Sequence, residues 1–443
     1  MVAVHKERAR GGKHALKDAA VDMVGNWLRN QAKTDAPKAE APEYSPEGLK
    51  TQTVQRLWEG YGAIVRVSLP PAITAFLHTG GALENVSTVV LKCIQPPVLG
   101  NSTSDVLNPP SLSHQRKLKS YQVEANFYEH FLPKLDLRRV RVPRLLHRDC
   151  STSDSTSLGF ILEDLDAAGF PERKHSLSAR TVRPVLTWLA RFHKTFLYCD
   201  TDQRSTGSRT NSNVVSSNSV AQALIWPEGC YWHLDTRPDE FQRISPKDSP
   251  LRRYAGSFDE KLKAAKWKTV VHGDAKIENF CFPPTNGAAP AETDVAAVDF
   301  QYTGFGVGVR DVAYCLGGWG LSESEMEKSA EELLDFYFAE LKTYQPRTMT
   351  VLRETCEENG GEVAGDSRAK KDTIDHHDQD FLAEVEAEWR ELWPVCFADF
   401  ERFLAGWASG HDWKRSGRYT VRMVEKAIQM VQGNSLNANS CSS

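Results

Sequence analysis

The pattern of apolar and polar positions predicts strands in the first part of the chain and a helix after them. The runs GAIVRVSL and STVVLKCI, which lie between Leu57 and Ile94, are rich in β-branched residues and are bounded by glycines and polar turns, as strands are. In SYQVEANFYEHFL, over 120–132, the apolar residues take helical spacing. Strands followed by one helix predict a small α+β lobe.

The rest of the chain is predicted to be largely helical. A short apolar strand, LGFIL (158–162), precedes the buried helix LTWLARFHKTFL (186–197), and helical, aromatic-rich sequence runs from Phe381 to about Val431. A chain of 443 residues is also too long for one ordinary core. We therefore expect an α+β fold of two lobes, a small β-rich N-terminal lobe over 49–165 and a larger helical C-terminal lobe over 166–443.

Residues 1–48 are predicted to form an N-terminal helix and a linker. The helix would cover 11–33 and pack against the fold through an apolar stripe. This stripe consists of Leu16, Ala20, Val24, Trp27 and Leu28. The Pro-rich sequence over 34–48 is typical of a linker, and the polar sequences near 201–219 and 357–380 predict two surface insertions.

The composition is that of a globular chain and excludes several classes of protein. Hydrophobic residues make up 40% and charged residues 25%, and 54 basic residues against 58 acidic ones leave a net charge of −4, so no broad basic surface is available for nucleic acid. Nine scattered cysteines without a C-x-x-C pair favour reduced thiols. No apolar run approaches the roughly 20 residues that span a bilayer, and the first residues have no apolar signal-peptide core. We expect a cytoplasmic protein, whose oligomeric state the sequence does not indicate.

The segment VVHGDAKIENFCF, over 270–282, carries the first candidates for chemistry. Asp274 and Asn279 lie five positions apart, which is the interval between the base and the metal-binding Asn in the H-R-D-x-x-x-x-N loop of kinases. Asp274 would accept the proton of an attacking hydroxyl, and Asn279 would supply an oxygen to a metal ion. Lys276 would reach a transferring phosphate, or is equally a solvated loop lysine.

A second acidic segment follows on the chain. The apolar run Val295–Val298 ends at Asp299, twenty residues after Asn279, and a kinase places its metal-binding carboxylate after such a strand. Asp299 is therefore the first candidate for a Mg²⁺ ligand. The alternative is that Asp274 and Asp299 only cap loops, as isolated Asp residues after strands do. Asp311, near the start of the helix predicted in GVGVRDVAYCLGG, is expected to accept backbone N–H bonds and to support the catalytic loop.

A lysine within an apolar strand points to a phosphate contact upstream. Lys92 lies in VVLKCI, where its ammonium is costly to bury unless it meets charge. Phosphate oxygens and Glu124, on the following helix, would supply that charge, in the order of the strand lysine and helix glutamate of kinases. The alternative is an edge-strand lysine that extends its ammonium to solvent.

Two further segments are candidates for contacts with a nucleotide. Gly60 and Gly62, in LWEGYGAIVRV, would let backbone N–H groups approach phosphates, although a lone G-x-G before a strand is as often a plain hairpin turn. In FILEDLD, backbone groups near Glu163 and Leu165 would pair with the edge of an adenine ring. The alternative there is an ordinary strand end with acidic residues.

The chain carries, in this order, the glycine loop, Lys92, Glu124 and the segments LEDL, HGDAKIENF, VDFQ and RDVAYCLGG. With this order it resembles the aminoglycoside phosphotransferase and choline kinase-like superfamily, nearest its ecdysteroid kinase-like branch. The resemblance extends from about Leu57 to about Arg422. It implies a bilobal protein-kinase-like fold that uses ATP and Mg²⁺ and transfers the γ-phosphate to a hydroxyl of a small metabolite or xenobiotic. The acceptor itself is not implied, because family members differ in it.

The resemblance also assigns roles to individual residues. It implies that Asp274 is the catalytic base, that Asn279 and Asp299 bind the metal, and that Lys92 contacts the triphosphate. A catalytically inactive kinase fold that serves as a binding or scaffolding protein is the alternative. It would have lost the base or the metal ligands, and this sequence keeps both.

The acceptor is expected to be a small molecule rather than a protein. Protein kinases hold peptides on a long segment that follows the metal-binding Asp and ends in A-P-E. Here Asp311 follows Asp299 after only a dozen residues, without A-P-E. Aromatic and basic residues of the C-terminal half would then line the acceptor pocket. The candidates are Tyr231, Trp232, His233, Arg237, Trp407, His411 and Trp413.

Overall fold

A computed structural model describes the chain over 18–31, 48–79, 86–96, 111–149, 158–199, 223–247, 249–284, 295–318, 320–346, 367–408 and 410–440. The chain divides into two compact units. The N-terminal unit comprises Met1–Leu132 and Val142–Glu172, and the C-terminal unit comprises Pro133–Arg141 and Arg173–Ser443. The predicted linker over 34–48 and the predicted insertion over 201–219 lie almost entirely outside the described residues.

The N-terminal unit contains a five-stranded antiparallel sheet in the order β1-β2-β3-β5-β4. Its strands are β1 Lys50–Arg56, β2 Gly62–Ser68, β3 Thr88–Ile94, β4 Leu145–Asp149 and β5 Leu158–Glu163. The three apolar runs that predicted strands form β2, β3 and β5. Strand β1 was not predicted, because most of its residues are exposed and its sequence therefore shows no apolar alternation.

Three helices accompany this sheet. They are α1 over 18–31, α2 Pro71–Thr79 and α3 Leu112–Asn126, and α3 continues into a π-helical turn over Phe127–Phe131. Trp27 and Val24 of α1 are fully buried in one apolar cluster with sheet residues such as Val67 and Leu91. The prediction that the N-terminal helix packs against the fold is thus confirmed for 18–31.

The strands of the C-terminal unit are short. They are β6 Glu172–Arg173, which begins at the end of the preceding unit, β7 Tyr198–Cys199, β8 Trp267–Val271, β9 Phe280–Phe282, β10 Ala296–Ala297 and β11 Gly304–Gly306. Strand β8 pairs antiparallel with β7 and with β11, and β9 pairs antiparallel with β10. The loops that follow β8 and β10 carry the polar residues predicted to do chemistry.

Helices make up most of the C-terminal unit. They are α4 Arg183–Thr195, α5 Pro238–Arg243, α6 Pro250–Arg253, α7 Ala255–Lys263, α8 Val309–Gly317, α9 Glu323–Thr343, α10 Ser367–Trp407 and α11 Arg418–Ser440. The small sheet-rich unit and the larger helical unit confirm the predicted α+β fold. No helix within the described residues has both the length and the apolar character needed to cross a membrane.

The predicted polar insertion over 357–380 lies partly outside the described residues, and from Ser367 onwards its backbone forms the start of α10. A low apolar content rules out a buried segment, but it does not rule out a helix, since polar residues such as Lys, Arg and Glu are good helix formers. From Leu382 onwards, α10 contributes buried residues such as Trp389 and Phe397. The helical prediction from Phe381 to about Val431 is confirmed by α10 and α11.

Candidate active site

The loop after β8 turns sharply at Gly273. Strand β8 is buried from Lys268 onwards, and Gly273 follows it with a φ of +80°. A Cβ atom at this position would lie 2.0 Å from the backbone oxygen of Tyr302. Only glycine fits a left-handed turn pressed against a neighbouring backbone, so the local sequence fixes the direction in which Asp274 leaves the strand.

Asp274 and Asn279 contact each other within this loop. The Asn279 Nδ2 atom donates to the backbone oxygen of Asp274 at 2.7 Å and to its Oδ2 atom at 3.0 Å. Both side chains are buried, with 5% and 6% of their surface exposed. The Lys276 Nζ atom lies 3.2 Å from Asp274 Oδ2. Since Nδ2 donates to Asp274, the Oδ1 atom of Asn279 is the side-chain atom that would be left to bind a cation.

The electrostatics of the loop set Asp274 apart from an ordinary carboxylate. Burial raises the pKa of Asp274 to about 6; the charge of Asp299 raises it too, whereas Lys276 and Asn279 oppose the rise. Burial alone would lower the pKa of Lys276, but the charges of Asp274 and Asp299 outweigh it and raise that pKa. A carboxylate with a pKa close to neutrality is suited to accept a proton and to release it again.

Asp299 is tied to the same loop through the residue before it. The Val298 N–H donates to the backbone oxygen of Asn279 at 3.0 Å. Strand β10 ends at Ala297, earlier than predicted, and Asp299 adopts a φ of +69°. A positive φ is uncommon for a residue other than glycine. The backbone thus turns at Asp299, directly after the residue that is hydrogen-bonded to Asn279.

His272 connects the two acidic segments. Its Nδ1 atom accepts the Asp274 N–H at 3.3 Å, and its Nε2 atom lies 3.0 Å from the backbone oxygen of Val298. This pair of contacts requires the tautomer with hydrogen on Nε2. Burial lowers the pKa of His272, which keeps the ring neutral. Sequence reasoning did not assign this role to His272, because it depends on a residue 26 positions away.

Asp311 supports the loop by accepting hydrogen bonds from its backbone, which confirms the role expected for it. This side chain is fully buried at the start of α8. Its Oδ2 atom accepts the His272 N–H at 2.6 Å, and its Oδ1 atom accepts the Gly273 N–H at 3.0 Å. His193 of α4 contacts the same carboxylate at 3.1 Å. Two backbone N–H bonds and one ring nitrogen therefore fix the turn that precedes Asp274.

Aromatic residues lie directly beside the loop. The Tyr231 N–H donates to the backbone oxygen of Gly273 at 2.7 Å. The Tyr231 ring meets Tyr302 at 4.9 Å and Phe403 at 5.5 Å, and Phe403 meets Trp407 at 5.9 Å between ring centroids. Trp407 is 51% exposed. Of the predicted pocket residues, Tyr231 and Trp407 thus belong to a row of rings that runs from the loop to the surface.

Tyr314 is a neighbour of Asp274 that sequence reasoning missed. Burial raises the pKa of the Tyr314 hydroxyl, and the charge of Asp274 and a hydrogen bond with it raise this pKa further. The ring lies 4.5 Å from that of Trp232 and 4.9 Å from that of Phe400. Tyr314 lies one helical turn after Asp311, so the tyrosine within RDVAYCLGG was the signal available in the sequence.

Three other predicted pocket residues have partners inside the C-terminal unit. The Arg237 Nε atom donates to the backbone oxygen of Tyr231 at 2.7 Å, and its guanidinium lies 3.9 Å from the centre of that ring. The His411 Nε2 atom lies 2.6 Å from Glu401 Oε2. Trp413 is buried. Arg237 therefore packs against the row of rings, whereas His411 pairs with the carboxylate of Glu401.

His233 lies in a cluster with two carboxylates, and both carboxylates already contact the ammonium group of a lysine. The His233 Nε2 atom is 3.1 Å from Asp259 Oδ1, and Lys263 Nζ lies 2.8 Å from both Asp235 and Asp259. Burial alone would raise the pKa of Asp259, but His233 and Lys263 lower it to about 2. The ammonium supplies the positive charge that a metal ion would bring, so this cluster is a structural network.

In the N-terminal unit, Lys92 and Glu124 form a buried ion pair. The Lys92 Nζ atom contacts Glu124 Oε2, and the two side chains are 5% and 2% exposed. The ammonium also lies 5.6 Å from the centre of the Tyr121 ring. Lys92 is therefore not an edge-strand lysine that extends to solvent. Its contact with a triphosphate stays a prediction.

The turn with Gly60 and Gly62 is a tight hairpin between β1 and β2. The Gly60 N–H donates to Leu57 O at 3.3 Å, and the Leu57 N–H donates to Gly62 O at 2.9 Å. Gly62 has a φ of +129°, and a Cβ atom there would lie 2.0 Å from the backbone oxygen of Cys93. The close approach to β3 is therefore a sufficient reason for glycine at position 62. Phosphate binding by this turn stays a prediction.

The segment with Glu163 and Leu165 follows the end of β5. Its middle residue, Asp164, is held by Arg66, with Nε 2.7 Å from Oδ2, while Glu163 pairs with Arg144. The Leu165 backbone oxygen accepts the Phe170 N–H at 2.8 Å. These contacts fix the backbone after β5, and a contact of this segment with adenine stays a prediction.

The donor set near Asp274 fits a hard divalent cation. Asn279 offers an amide oxygen and Asp299 a carboxylate, and the two segments are joined by the Val298–Asn279 hydrogen bond. Amide and carboxylate oxygens are the protein ligands that Mg²⁺ prefers. Both residues lie in the C-terminal unit.

Comparison with known proteins places the chain in a family. Solved structures similar to it include three of interest. A Ralstonia eutropha protein assigned to the aminoglycoside phosphotransferases is 10% identical (TM-score 0.40), with 92% of this chain and 95% of that one covered. The Streptomyces rimosus aminoglycoside phosphotransferase, solved with ADP and streptomycin, is 16% identical (TM-score 0.32; 66% and 87% covered). Choline kinase from Cryptosporidium parvum is 8% identical (TM-score 0.33; 94% and 97% covered).

These likenesses are too distant to carry over a residue role or a ligand, and no curated protein sequence matches the chain. The sequence profile of the ecdysteroid kinase-like family, in contrast, matches residues 108–348. This range covers more than half of the chain and includes Glu124, Asp274, Asn279, Asp299 and Asp311. The chain therefore belongs to the ecdysteroid kinase-like family.

Proposed function

We propose that this protein is an ATP- and Mg²⁺-dependent kinase that phosphorylates a hydroxyl group of a small molecule. The observation that carries this proposal is the buried loop in which Asp274 contacts Asn279 and to which Asp299 is joined through Val298. A base and two oxygen ligands on adjacent loops are what phosphoryl transfer to an alcohol requires.

Asp274 is the proposed base. The acceptor oxygen attacks the γ-phosphorus of ATP, the bond from that phosphorus to the β–γ bridging oxygen breaks, and the acceptor proton passes to Asp274. With a pKa of about 6, Asp274 is largely ionised at neutral pH and still basic enough to take the proton. Tyr314 and Asn279 hydrogen-bond the same carboxylate and hold it in one orientation.

The proposed metal ligands are Asn279 and Asp299, and Lys92 is the proposed contact of the triphosphate. A bound Mg²⁺ would neutralise phosphate charge and so stabilise the transition state. Lys276, which already lies 3.2 Å from Asp274, would face the transferring phosphate as a second cation. Glu124 keeps the Lys92 ammonium in place.

The short connection after Asp299 supports a small-molecule acceptor. Residues 304–306 form β11, which pairs with β8 in the register Gly304↔Val271 and Gly306↔Thr269, and α8 begins at Val309. A peptide platform of the protein-kinase kind needs a longer segment here. The row of rings from Tyr302 to Trp407 offers apolar faces instead, which suit a compact, partly apolar alcohol.

The proposal is tested by following radiolabel from [γ-³²P]ATP. The purified protein is incubated with a metabolite extract and, separately, with a mixture of proteins, beside the variants Asp274→Asn and Asp335→Asn. We expect label in the small-molecule fraction, a loss of at least ~10²-fold with Asp274→Asn, and no loss with Asp335→Asn, which removes an exposed carboxylate.

Two outcomes would contradict the proposal. Label only on proteins would refute the small-molecule acceptor. Full activity of Asp274→Asn would show that Asp274 is not the base. Retention of Asp274, Asn279 and Asp299 argues against the alternative of a catalytically inactive binding protein.

A further inference from the structure

Tyr61 holds the hairpin turn between β1 and β2 from within the N-terminal unit. Its ring is 4% exposed, and its hydroxyl lies 2.5 Å from Nδ1 of His114. Its backbone oxygen accepts the N–H of Gln95, just after β3, at 2.9 Å. The side chain of Tyr61 thus links the turn to α3, while its backbone links the turn to β3.

The partner of Tyr61 lies on the same face of α3 as the partner of Lys92. His114, Tyr121 and Glu124 are separated by seven and three positions, which places them on one stripe of a helix. The Tyr121 ring lies 6.2 Å from that of Tyr61 and 5.6 Å from the Lys92 ammonium. One face of α3 therefore contacts the turn at one end and Lys92 at the other.

The N-terminal end of α3 is well defined. Ser111 caps it, with its side-chain oxygen accepting the His114 N–H at 3.2 Å, so the residue that contacts Tyr61 lies in the first turn. The cap orders the first turn of α3, and the second half of the helix, from Ser120 onwards, is mostly buried and close-packed. A displacement of α3 would move the turn and Lys92 together.

We propose that Tyr61 and His114 are positioning residues of the nucleotide site. Through α3 they fix the position of the hairpin turn between β1 and β2 relative to Lys92. This inference rests on the proposed function, because it assumes that the turn and Lys92 both face the phosphates of ATP. Neither residue touches the reacting atoms. Their effect is to keep two phosphate-binding groups at a constant separation, so that ATP does not have to order them on binding.

The hydroxyl of Tyr61 allows a selective test. Tyr61→Phe keeps the buried ring and removes only the hydrogen bond, and His114→Phe removes the partner. Affinity is measured by isothermal titration calorimetry of the full-length protein with Mg²⁺ and a non-hydrolysable ATP analogue, and separately with adenosine. Tyr254→Phe is the matched control, because it removes an exposed hydroxyl bonded to Gln432 in the C-terminal unit.

We expect Tyr61→Phe to weaken the ATP analogue about three- to tenfold while the affinity for adenosine stays unchanged, since only the phosphate contacts lose their fixed separation. The double variant with His114→Phe should be no weaker than the weaker single variant, because both changes break one contact. Tyr254→Phe should bind both ligands like the wild type.

The possible failures are distinct. If the wild-type protein binds no ATP analogue, the proposed function and this inference both fall. If the wild type binds the analogue and Tyr61→Phe binds it equally well, only this inference falls. Equal weakening of the analogue and of adenosine would also overturn it, since that result indicates general damage to the unit.

Discussion

Replacement of Asp274 by Asn should stabilise the ligand-free protein at neutral pH while it abolishes transfer. The carboxylate is 5% exposed, and burial raises its pKa from the ordinary 3.8 to about 6. In the folded protein the charged form is therefore disfavoured relative to the unfolded chain. Asn keeps the shape and can still accept from Asn279, so the substitution removes mainly the cost of a buried charge.

The magnitude follows from the pKa. Between pH 3.8 and about 6 the folded state binds the Asp274 proton more tightly than the unfolded state does, so the free energy of unfolding falls as pH rises through this window. At about 1.4 kcal/mol per tenfold change in proton affinity, the full loss above pH 6 is on the order of 3 kcal/mol. Asp274→Asn should recover 1–3 kcal/mol of it, roughly, because Lys276, 37% exposed, can turn its ammonium to water.

The assay is urea unfolding of the wild type and of Asp274→Asn at pH 4, 5, 6 and 7.5, without nucleotide or Mg²⁺. The difference in free energy of unfolding should be small at pH 4 and should grow up to about pH 6. Asp335→Asn, at a carboxylate whose side chain is 67% exposed, should show a difference within about 0.5 kcal/mol at every pH. Destabilisation by Asp274→Asn at pH 7.5 would refute this reasoning, since the charged carboxylate would then contribute more to stability through its contacts than its burial costs.

Three further predictions concern the other parts of the site. Asp299→Ala should abolish the Mg²⁺ dependence of nucleotide affinity, since a hard-cation ligand is lost; an unchanged Mg²⁺ titration would place the metal elsewhere. Lys92→Ala should lower the free energy of unfolding by about 3–5 kcal/mol, because it leaves Glu124 buried without its partner. The double variant Lys92→Met with Glu124→Leu should regain most of this stability in urea unfolding, but it should not regain ATP use. Gly273→Ala should destabilise the fold by about 2 kcal/mol or more, since the added Cβ would lie 2.0 Å from a carbonyl oxygen. Gly256→Ala, where the Cβ meets nothing within 4 Å, should stabilise by about 0.4–1 kcal/mol; equal effects at the two glycines would refute the steric reasoning.

The sequence predicted those features that depend on neighbours in the chain. The spacing from Asp274 to Asn279 and the apolar run before Asp299 are local, and the structure brings these segments together. Asp311 was recognised because a carboxylate at a helix start seeks N–H groups. The stripe on α1 predicted its own burial, since helical periodicity is read directly from the residues.

What the sequence did not predict depends on partners far apart in the chain. His272 bonds Val298 across 26 positions, and Tyr61 bonds His114 across 53. Neither residue is unusual within its own segment, so no local pattern marks it. The order of strands also came only from the structure, since β5 rather than β4 lies next to β3 and apolar alternation does not identify which strands pair.

The pairing of β11 with β8 bears on whether the segment after Asp299 can act as a switch. In many protein kinases the segment after the metal-binding Asp is a switch, which phosphorylation orders or releases. In this protein the segment after Asp299 includes β11, whose three residues pair with three residues of β8, and α8 begins at Val309. We therefore expect the loop around Asp274 to be assembled as soon as the C-terminal unit folds, without a phosphorylation step that orders the segment after Asp299.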